Sequence, residues 1–533
     1  MSLNRLPRLA RLALSVCSGL TLALAFPKLE LTSVVWFALV PLLFAIDGIP
    51  LLMVFAYSWL QGFVFFVATL YSIPVALVTY GHASLMAALA KLVLLGALEG
   101  LSIASAFSVG ELVSRRLRVP RSMMLATTWV AFEFLRTYFP IGFPWALLGY
   151  AAYRDVMLIQ FAEFTGIYGV SALIVLVNVT IYQMLAHSPT ILAKVARALP
   201  ALSAVSIALL FGATRIAQLR ATAPAGSLRV AFVQANIPQS LKWEQSNVEP
   251  TFQTYATETF RVSQQHPDLA IWPETAVPFA FIAPAEYGPF QFHRFYHDRL
   301  VKLVRDIHQP LLFGAPALDF HNGVSTRNRA DLLSADGDVV GYYDKMMLVP
   351  FDEYVPVSRF LGRFIDMPVE SIGPISAGTQ QTILPVKDAR LGVLICYDSI
   401  FPSLARSSVR AGANVLVNLS NDAWFGTTSA PYELLAIAAM RALENHTVMV
   451  RVANTGISAI ISPYGEIVSE TKLGTRVTET DTVSWISSRT FYTEHGDLFA
   501  ALCAAVTAIG ALIAIVFGIQ TWKRSAAFNR DVI

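Results

Sequence analysis

The stretch Leu391-Gly-Val-Leu-Ile-Cys396-Tyr-Asp-Ser-Ile-Phe-Pro402 runs from an apolar segment into a cysteine and then into a helical pattern. A short apolar run bounded in this way reads as a buried strand. The cysteine then stands at the strand's carboxyl end, ahead of a helix start. The same alternation continues on both sides. Strands are predicted at 229–234, 269–272, 310–315, 328–334, 339–344, 390–396, 414–419 and 446–452. Helices are predicted at 247–265, 291–308, 400–411 and 431–444. Strands alternating with helices predict an α/β layered domain. Residues 217–227 read as a linker and 355–380 as a long loop. Long ordered loops are commonly binding loops or lids. Phe360, Leu361, Phe364 and Ile365 mark this one as a candidate lipid-facing arm.

The rest of the chain is of another kind. Of 533 residues, 55% are hydrophobic and only 14% charged, and the mean hydropathy is +0.55. Soluble proteins carry about 25% charged residues. A disordered chain, a basic nucleic-acid binder and an ordinary cytosolic enzyme are thereby excluded. The charges are unevenly placed. Residues 1–226 hold 15 Lys/Arg against 7 Asp/Glu, residues 227–497 hold 21 against 28, and 498–533 hold 3 against 1. Eight stretches approach the ~20 apolar residues of a membrane span: 9–26, 31–46, 51–79, 83–112, 121–138, 165–186, 198–216 and 498–522. The first reads as a retained span, because no small-residue cleavage site follows it and another span begins at once.

Placing the N-terminus inside puts nearly all arginines and lysines of the short loops on the cytoplasmic side. Seven spans (1–216) then deliver residues 217–497 to the outer face. An eighth (498–522) returns a tail (523–533) inside. Lys91, Glu99, Glu133 and Arg136 fall within spans, and the i, i+3 spacing of the last two predicts a mutual ion pair.

Three residues of the α/β block invite chemistry. Cys396 is its only cysteine, and helix-start and backbone N–H groups nearby can activate a thiol and hold an oxyanion. Glu274, in Ala270-Ile-Trp-Pro-Glu-Thr275, ends another strand and suits a general base, particularly where burial raises its pKa. Lys345, in Tyr343-Asp-Lys-Met-Met-Leu-Val-Pro-Phe-Asp-Glu-Tyr-Val-Pro356, can stabilise negative charge on a carbonyl oxygen. Glu353 follows eight residues on, within reach of pairing. Taken singly, each is equally at home as a buried thiol, a solvated carboxylate or a surface lysine. His293 and His297 have i, i+4 spacing, but no third ligand is evident and no metal is expected.

In order and context, the three resemble the Glu-Lys-Cys nitrilase superfamily. Gln234-Ala-Asn-Ile-Pro-Gln-Ser-Leu-Lys-Trp243, Ser420-Asn-Asp-Ala-Trp-Phe-Gly426, Met440-Arg-Ala-Leu-Glu444, Arg451-Val-Ala-Asn-Thr-Gly-Ile457 and Gly142-Phe-Pro-Trp-Ala-Leu-Leu-Gly-Tyr150 narrow the resemblance to the apolipoprotein N-acyltransferases of bacterial inner membranes. Asp398 departs from the glutamate common after Cys-Tyr in that family, which leaves its local hydrogen bonding open.

The resemblance implies a multi-span helical membrane domain carrying a nitrilase-like αββα sandwich on the periplasmic side. It implies Cys396 as nucleophile, Glu274 as base, and Lys345 with the Tyr397 backbone N–H as oxyanion donors, with Glu353 in support. It implies Trp243, Trp424 and Phe425 as walls of an acyl-chain and substrate pocket. A glycerophospholipid would be the acyl donor, giving its sn-1 chain in the family's pattern, and a diacylated apolipoprotein the acceptor, without metal, cofactor or nucleic acid. The alternatives are a membrane-tethered amidase, or a transporter or binding protein with an inactive domain.

Overall fold

The computed structural model describes residues 6–81, 83–139, 142–281, 291–319, 325–350, 353 and 375–530. The loop residues Phe360, Leu361, Phe364 and Ile365 lie outside them. The chain forms two compact units, Met1–Tyr71 with Leu89–Ile216 and His495–Ile533, and Ser72–Ala88 with Ala217–Glu494.

The first unit is helical. Among the described residues, five helices are long and apolar enough to cross a bilayer: Leu51–Thr69, Leu85–Leu117, Ile167–His187, Ile191–Ala221 and Leu498–Gln520. Arg8–Leu24 and Arg121–Tyr138 coincide with two further predicted spans at 17 and 18 residues. The predicted span 31–46 is not one helix. A 3₁₀ turn at Thr32–Trp36 gives way to a short helix at Val40–Ala45 that has a proline in its first turn. The backbone freed at the break is satisfied by side chains. Asn178 donates to the Val35 carbonyl (2.8 Å) and accepts from the Leu39 N–H (2.8 Å), and Ser18 donates to the Ala38 carbonyl (2.7 Å). In an apolar medium such a break persists only where partners of this kind exist. The predicted span 51–79 also breaks, into Leu51–Thr69 and Ser72–Thr79. Gly62 and Gly100 let two long helices approach closely: a Cβ on Gly62 would lie 3.0 Å from the Gly100 Cα.

Glu99, Glu133 and Arg136 are engaged, but not as predicted. Arg136 reaches Glu99 (3.2 Å) rather than Glu133, and donates to the carbonyls of Phe143 and Trp145 (both 2.8 Å). Glu133 instead accepts from the Leu148 N–H at 2.7 Å. The two residues clamp the Gly142–Tyr150 loop from one side of the helix. A buried arginine has five donors to satisfy, and loop carbonyls satisfy more of them than one carboxylate can.

The second unit is a sandwich of two six-stranded sheets. Their orders are β12-β1-β2-β3-β4-β5 and β11-β10-β9-β8-β7-β6. The first holds β1 (Gly226–Gln234), β2 (Leu269–Ile271), β3 (Leu311–Asp319), β4 (Ser325–Leu333), β5 (Val339–Asp344) and β12 (Val477–Trp485). The second holds β6 (Ile383–Val386), β7 (Ala389–Ile395), β8 (Val415–Ser420), β9 (Val448–Ala453), β10 (Ala459–Ile461) and β11 (Ile467–Glu470). Alternate residues such as Val230, Phe232, Ile271 and Leu332 meet Val393, Ile395, Val417 and Val450 in one buried core. Helices Val248–Ser263 and Gln291–Ile307 contribute to a second core with the outer face of the first sheet, around Trp272 and Phe313. Helices Pro402–Arg410 and Ala430–Asn445 pack on the other sheet. The architecture is αββα.

The predicted strands all form. Four more, β6, β10, β11 and β12, carry too little apolar alternation to be read from sequence. The last, Val-Thr-Glu-Thr-Asp-Thr-Val-Ser-Trp, is an edge strand whose register is set by β1, with Gly226 opposite Trp485.

Candidate active site

The parallel strands β1, β2, β7 and β8 each end in a segment that carries polar groups toward one place. After β2 the chain turns through Trp272-Pro273-Glu274, with Trp272 packed on Tyr255 and its indole N–H donating to Thr259 (2.8 Å). Thr275 then takes the left-handed conformation at φ +43°. This turn rests on Gly314 of β3, where a Cβ would come within 2.7 Å of the Glu274 Cα. Glu274 is 5% exposed. Its Oε1 accepts from the Asn328 amide (2.8 Å) and from Lys345 Nζ (3.3 Å), and its Oε2 from the Asn421 N–H (2.8 Å).

Lys345 follows β5 and is 2% exposed. Its backbone N–H donates to the Asn328 carbonyl at 2.8 Å, which keys the lysine to β4. Its ammonium also reaches Glu353 Oε1 at 2.9 Å, while Glu353 Oε2 accepts from the Val349 N–H at 2.8 Å. The lysine is thus bracketed by two carboxylates.

Cys396 is the first residue beyond β7, partly buried, with φ +48°. A non-glycine residue in this region costs of order 1–2 kcal/mol, and such strain recurs where a side chain must be aimed. Asp398 holds the elbow. Its Oδ2 accepts from the Ile395 N–H and the Tyr343 hydroxyl (both 3.0 Å), and its Oδ1 from the Met347 N–H (2.7 Å). That settles the bonding left open by sequence: the shorter carboxylate ties the cysteine strand to the lysine segment. Burial pushes its carboxyl up to about 6 against the Met347 N–H and Lys345.

The ionisation pattern is consistent with a base beside a protonated nucleophile. Burial pushes Glu274 up, but Lys345, Asn328, Lys242 and the Asn421 N–H outweigh it and hold the carboxyl below its ordinary value. This reverses the expectation that burial would raise it. Burial would lower Lys345, yet Glu353 and Glu274 keep it well above the usual lysine range. The Cys396 thiol is pushed up by burial and by the Glu274 charge, with Lys345 opposing. The resting set is therefore carboxylate, ammonium and thiol.

Trp424 and Phe425 lie in a one-turn helix just beyond Asn421 and are partly buried. Trp424 meets Tyr80 edge-on at 5.3 Å. Trp243 is partly buried beside Lys242. Tyr397 is buried, its ring 5.4 Å from Phe401. His293 accepts from the Ala280 N–H at 3.1 Å and His297 stacks on Phe281. Among the described residues no cluster suits a metal ion.

Sequence reading missed Asn328, Asn421, Lys242 and the buried trio Asn418, Asp422 and Arg451. Arg451 donates to Asp422 at 2.6 Å and also to Asn418. Lys242, Asn421, Asp422 and Arg451 lay inside motifs already quoted, whereas Asn328 and Asn418 sit within strands and carried no signal of their own.

The chain matches the carbon-nitrogen hydrolase family over residues 229–489 and the apolipoprotein N-acyltransferase N-terminal domain over 18–180. It is 36% identical to an apolipoprotein N-acyltransferase of Geobacter metallireducens, covering 94% of each chain. It is 30% identical to one of Chlorobaculum tepidum, covering 94% of this chain and 96% of that one. For one of Pseudomonas syringae pv. tomato the identity is 33%, over 77% and 78%. With a carbon-nitrogen hydrolase unit carrying the Glu-Lys-Cys constellation and an apolar helical unit matching that N-terminal domain, the chain belongs to the apolipoprotein N-acyltransferase family.

Proposed function

We propose that this membrane protein N-acylates lipoproteins, with Cys396 as nucleophile, Glu274 as general base and Lys345 as oxyanion donor. The observation that carries the assignment is the convergence of Glu274, bonded to Lys345 at 3.3 Å, with the strained Cys396 of the facing sheet, whose thiol feels both charges.

In the first half-reaction the Cys396 S–H proton passes to Glu274 and the sulfur attacks an acyl-ester carbonyl of a glycerophospholipid. Lys345 and the Tyr397 N–H stabilise the tetrahedral oxyanion. The C–O bond breaks, Glu274 returns the proton to the departing lysophospholipid oxygen, and a thioester remains. In the second, the α-amino group of a diacylglyceryl-cysteine attacks that thioester and gives a proton to Glu274. The C–S bond breaks and the thiol is restored. Glu353 orients Lys345, and Trp243, Trp424 and Phe425 line the acyl path.

Each buried CH₂ of an acyl chain is worth about 0.8 kcal/mol, so neither substrate leaves the bilayer readily. An apolar helical unit on the same chain supports a site brought to them. The reading places the protein in the bacterial inner membrane. Residues 217–497 form its periplasmic catalytic domain, between a membrane domain at 1–216 and a last span at 498–522. Mass spectrometry of Cys396 after exposure to phosphatidylethanolamine tests the assignment. An acyl adduct that a diacylated lipopeptide discharges is expected; amide hydrolysis with no adduct would instead identify a membrane-tethered amidase.

A further inference from the structure

Lys242 is a lysine buried to 1% exposure at the end of the one-turn helix Gln239–Lys242, beyond β1. Its ammonium donates to the Thr275 hydroxyl at 2.7 Å and to the Glu274 carbonyl oxygen at 3.3 Å. It therefore grips the left-handed turn that follows the base. Burying an ammonium costs several kcal/mol unless compensated, so a placement like this needs a return in structure or in chemistry. Thr275 explains part of it. The neighbouring Glu274 carboxylate also feels its charge.

We propose that Lys242 is a positioning residue for Glu274. Its ammonium braces the turn that aims the carboxylate and, together with Lys345, supplies the positive charge that keeps Glu274 an anion able to take the Cys396 proton. This rests on the acyltransfer reading for the identity of the reaction, but not for the proton transfer itself.

The charged and titratable groups facing Glu274 come from four elements. Lys345 and Glu353 belong to the segment after β5, Cys396 to the turn just beyond β7, and Lys242 to the helix after β1. From β8 comes the uncharged Asn421 N–H, with Asp422 beyond it held by Arg451, and from β4 the uncharged Asn328 amide. Glu353 is a second carboxylate on Lys345, which engages it at 2.9 Å. Lys242 is thus the second cation beside a base that has a second anion nearby.

The test uses full-length protein in detergent and follows alkylation of Cys396 by iodoacetamide across pH, site by site, by peptide mass spectrometry. Alkylation needs Glu274 to take the thiol proton while the sulfur displaces iodide, and it needs no lipid. In Lys242→Met, and in Lys242→Gln, which keeps donors for Thr275, alkylation at the acidic end should fall about tenfold relative to the native protein. The curves should converge toward alkaline pH. Lys242→Arg, which keeps the charge, should follow the native profile. Profiles for Met and Gln that overlay the native one would overturn the proposal. So would failure of all three variants to fold, since Lys242 would then be purely structural. Acylation by phosphatidylethanolamine, measured separately on the native protein, tests the acyltransfer reading; its failure leaves the Lys242 profile intact.

Discussion

The backbone N–H of Asn421 donates to Glu274 Oε2 at 2.8 Å across 147 residues of chain. It couples the end of β8 in one sheet to the end of β2 in the other. The base is therefore not a side chain hung on a single loop. Its two oxygens are held by both halves of the sandwich, so the proposed chemistry would depend on the sheets keeping their spacing.

Glu274→Gln removes the proposed proton acceptor while keeping the shape. The thermal midpoint should fall, because the new amide N–H₂ meets groups that all donate to this side chain, and acyl-enzyme formation on Cys396 should fall about 10²–10⁴-fold, the usual contribution of a positioned base. A variant acylated at the native rate would assign the base elsewhere.

Gly314→Ala places a methyl 2.5 Å from the Thr275 nitrogen and 2.6 Å from the Pro273 oxygen, both of them backbone atoms. The turn must shift, and Glu274 with it. A displacement near 1 Å costs about a hundredfold in rate. The expected signature is a lower acylation rate, with circular dichroism showing the strands retained.

Arg451 and Asp422 are both fully buried and paired at 2.6 Å. Arg451→Met leaves the Asp422 carboxylate without its cation in a closed site, at a cost of about 3–5 kcal/mol. Thermal unfolding in detergent should show a large drop in midpoint. Changing both residues to apolar partners should recover part of it.

Asp331, buried on β4, has its carboxyl pushed up to about 8, by burial first, with Arg329 opposing and Asp344 adding. Its Oδ2 has no hydrogen-bond partner among the described residues. An unfolded aspartate titrates near 3.9, so the folded state holds the proton more tightly. That contribution to stability is full below the unfolded value and is lost as pH rises through about 8. Asp331→Asn should therefore match the native midpoint in acid and exceed it at alkaline pH. A constant offset between the two melting curves would contradict this.

Much of this protein was legible before any coordinates. Apolar runs such as Leu391–Ile395 announced strands, because a strand buried on both faces has few polar positions to spare. The low charge of 1–226 announced a helical membrane portion, because hydrocarbon tolerates few unpaired charges. The break at 37–39 was not legible: hydropathy averages over it, and the groups that permit it, Asn178 and Ser18, lie far away in sequence. The same holds for β12, a polar edge strand whose pairing partner is some 250 residues upstream.

Identity and order of the reactive groups, Glu274, Lys345 and Cys396, were in the sequence. Their ionisation was not. Burial alone argues for a raised Glu274, and the opposite sign comes from Lys345, Asn328, Lys242 and Asn421, which four separate elements bring to one carboxylate. Likewise, Glu133 and Arg136 were neighbours on a helix, yet each found its partners elsewhere. Chemistry and periodicity are local properties and survive in one dimension. Electrostatic balance in a buried site is a sum over neighbours, and only folding chooses the neighbours.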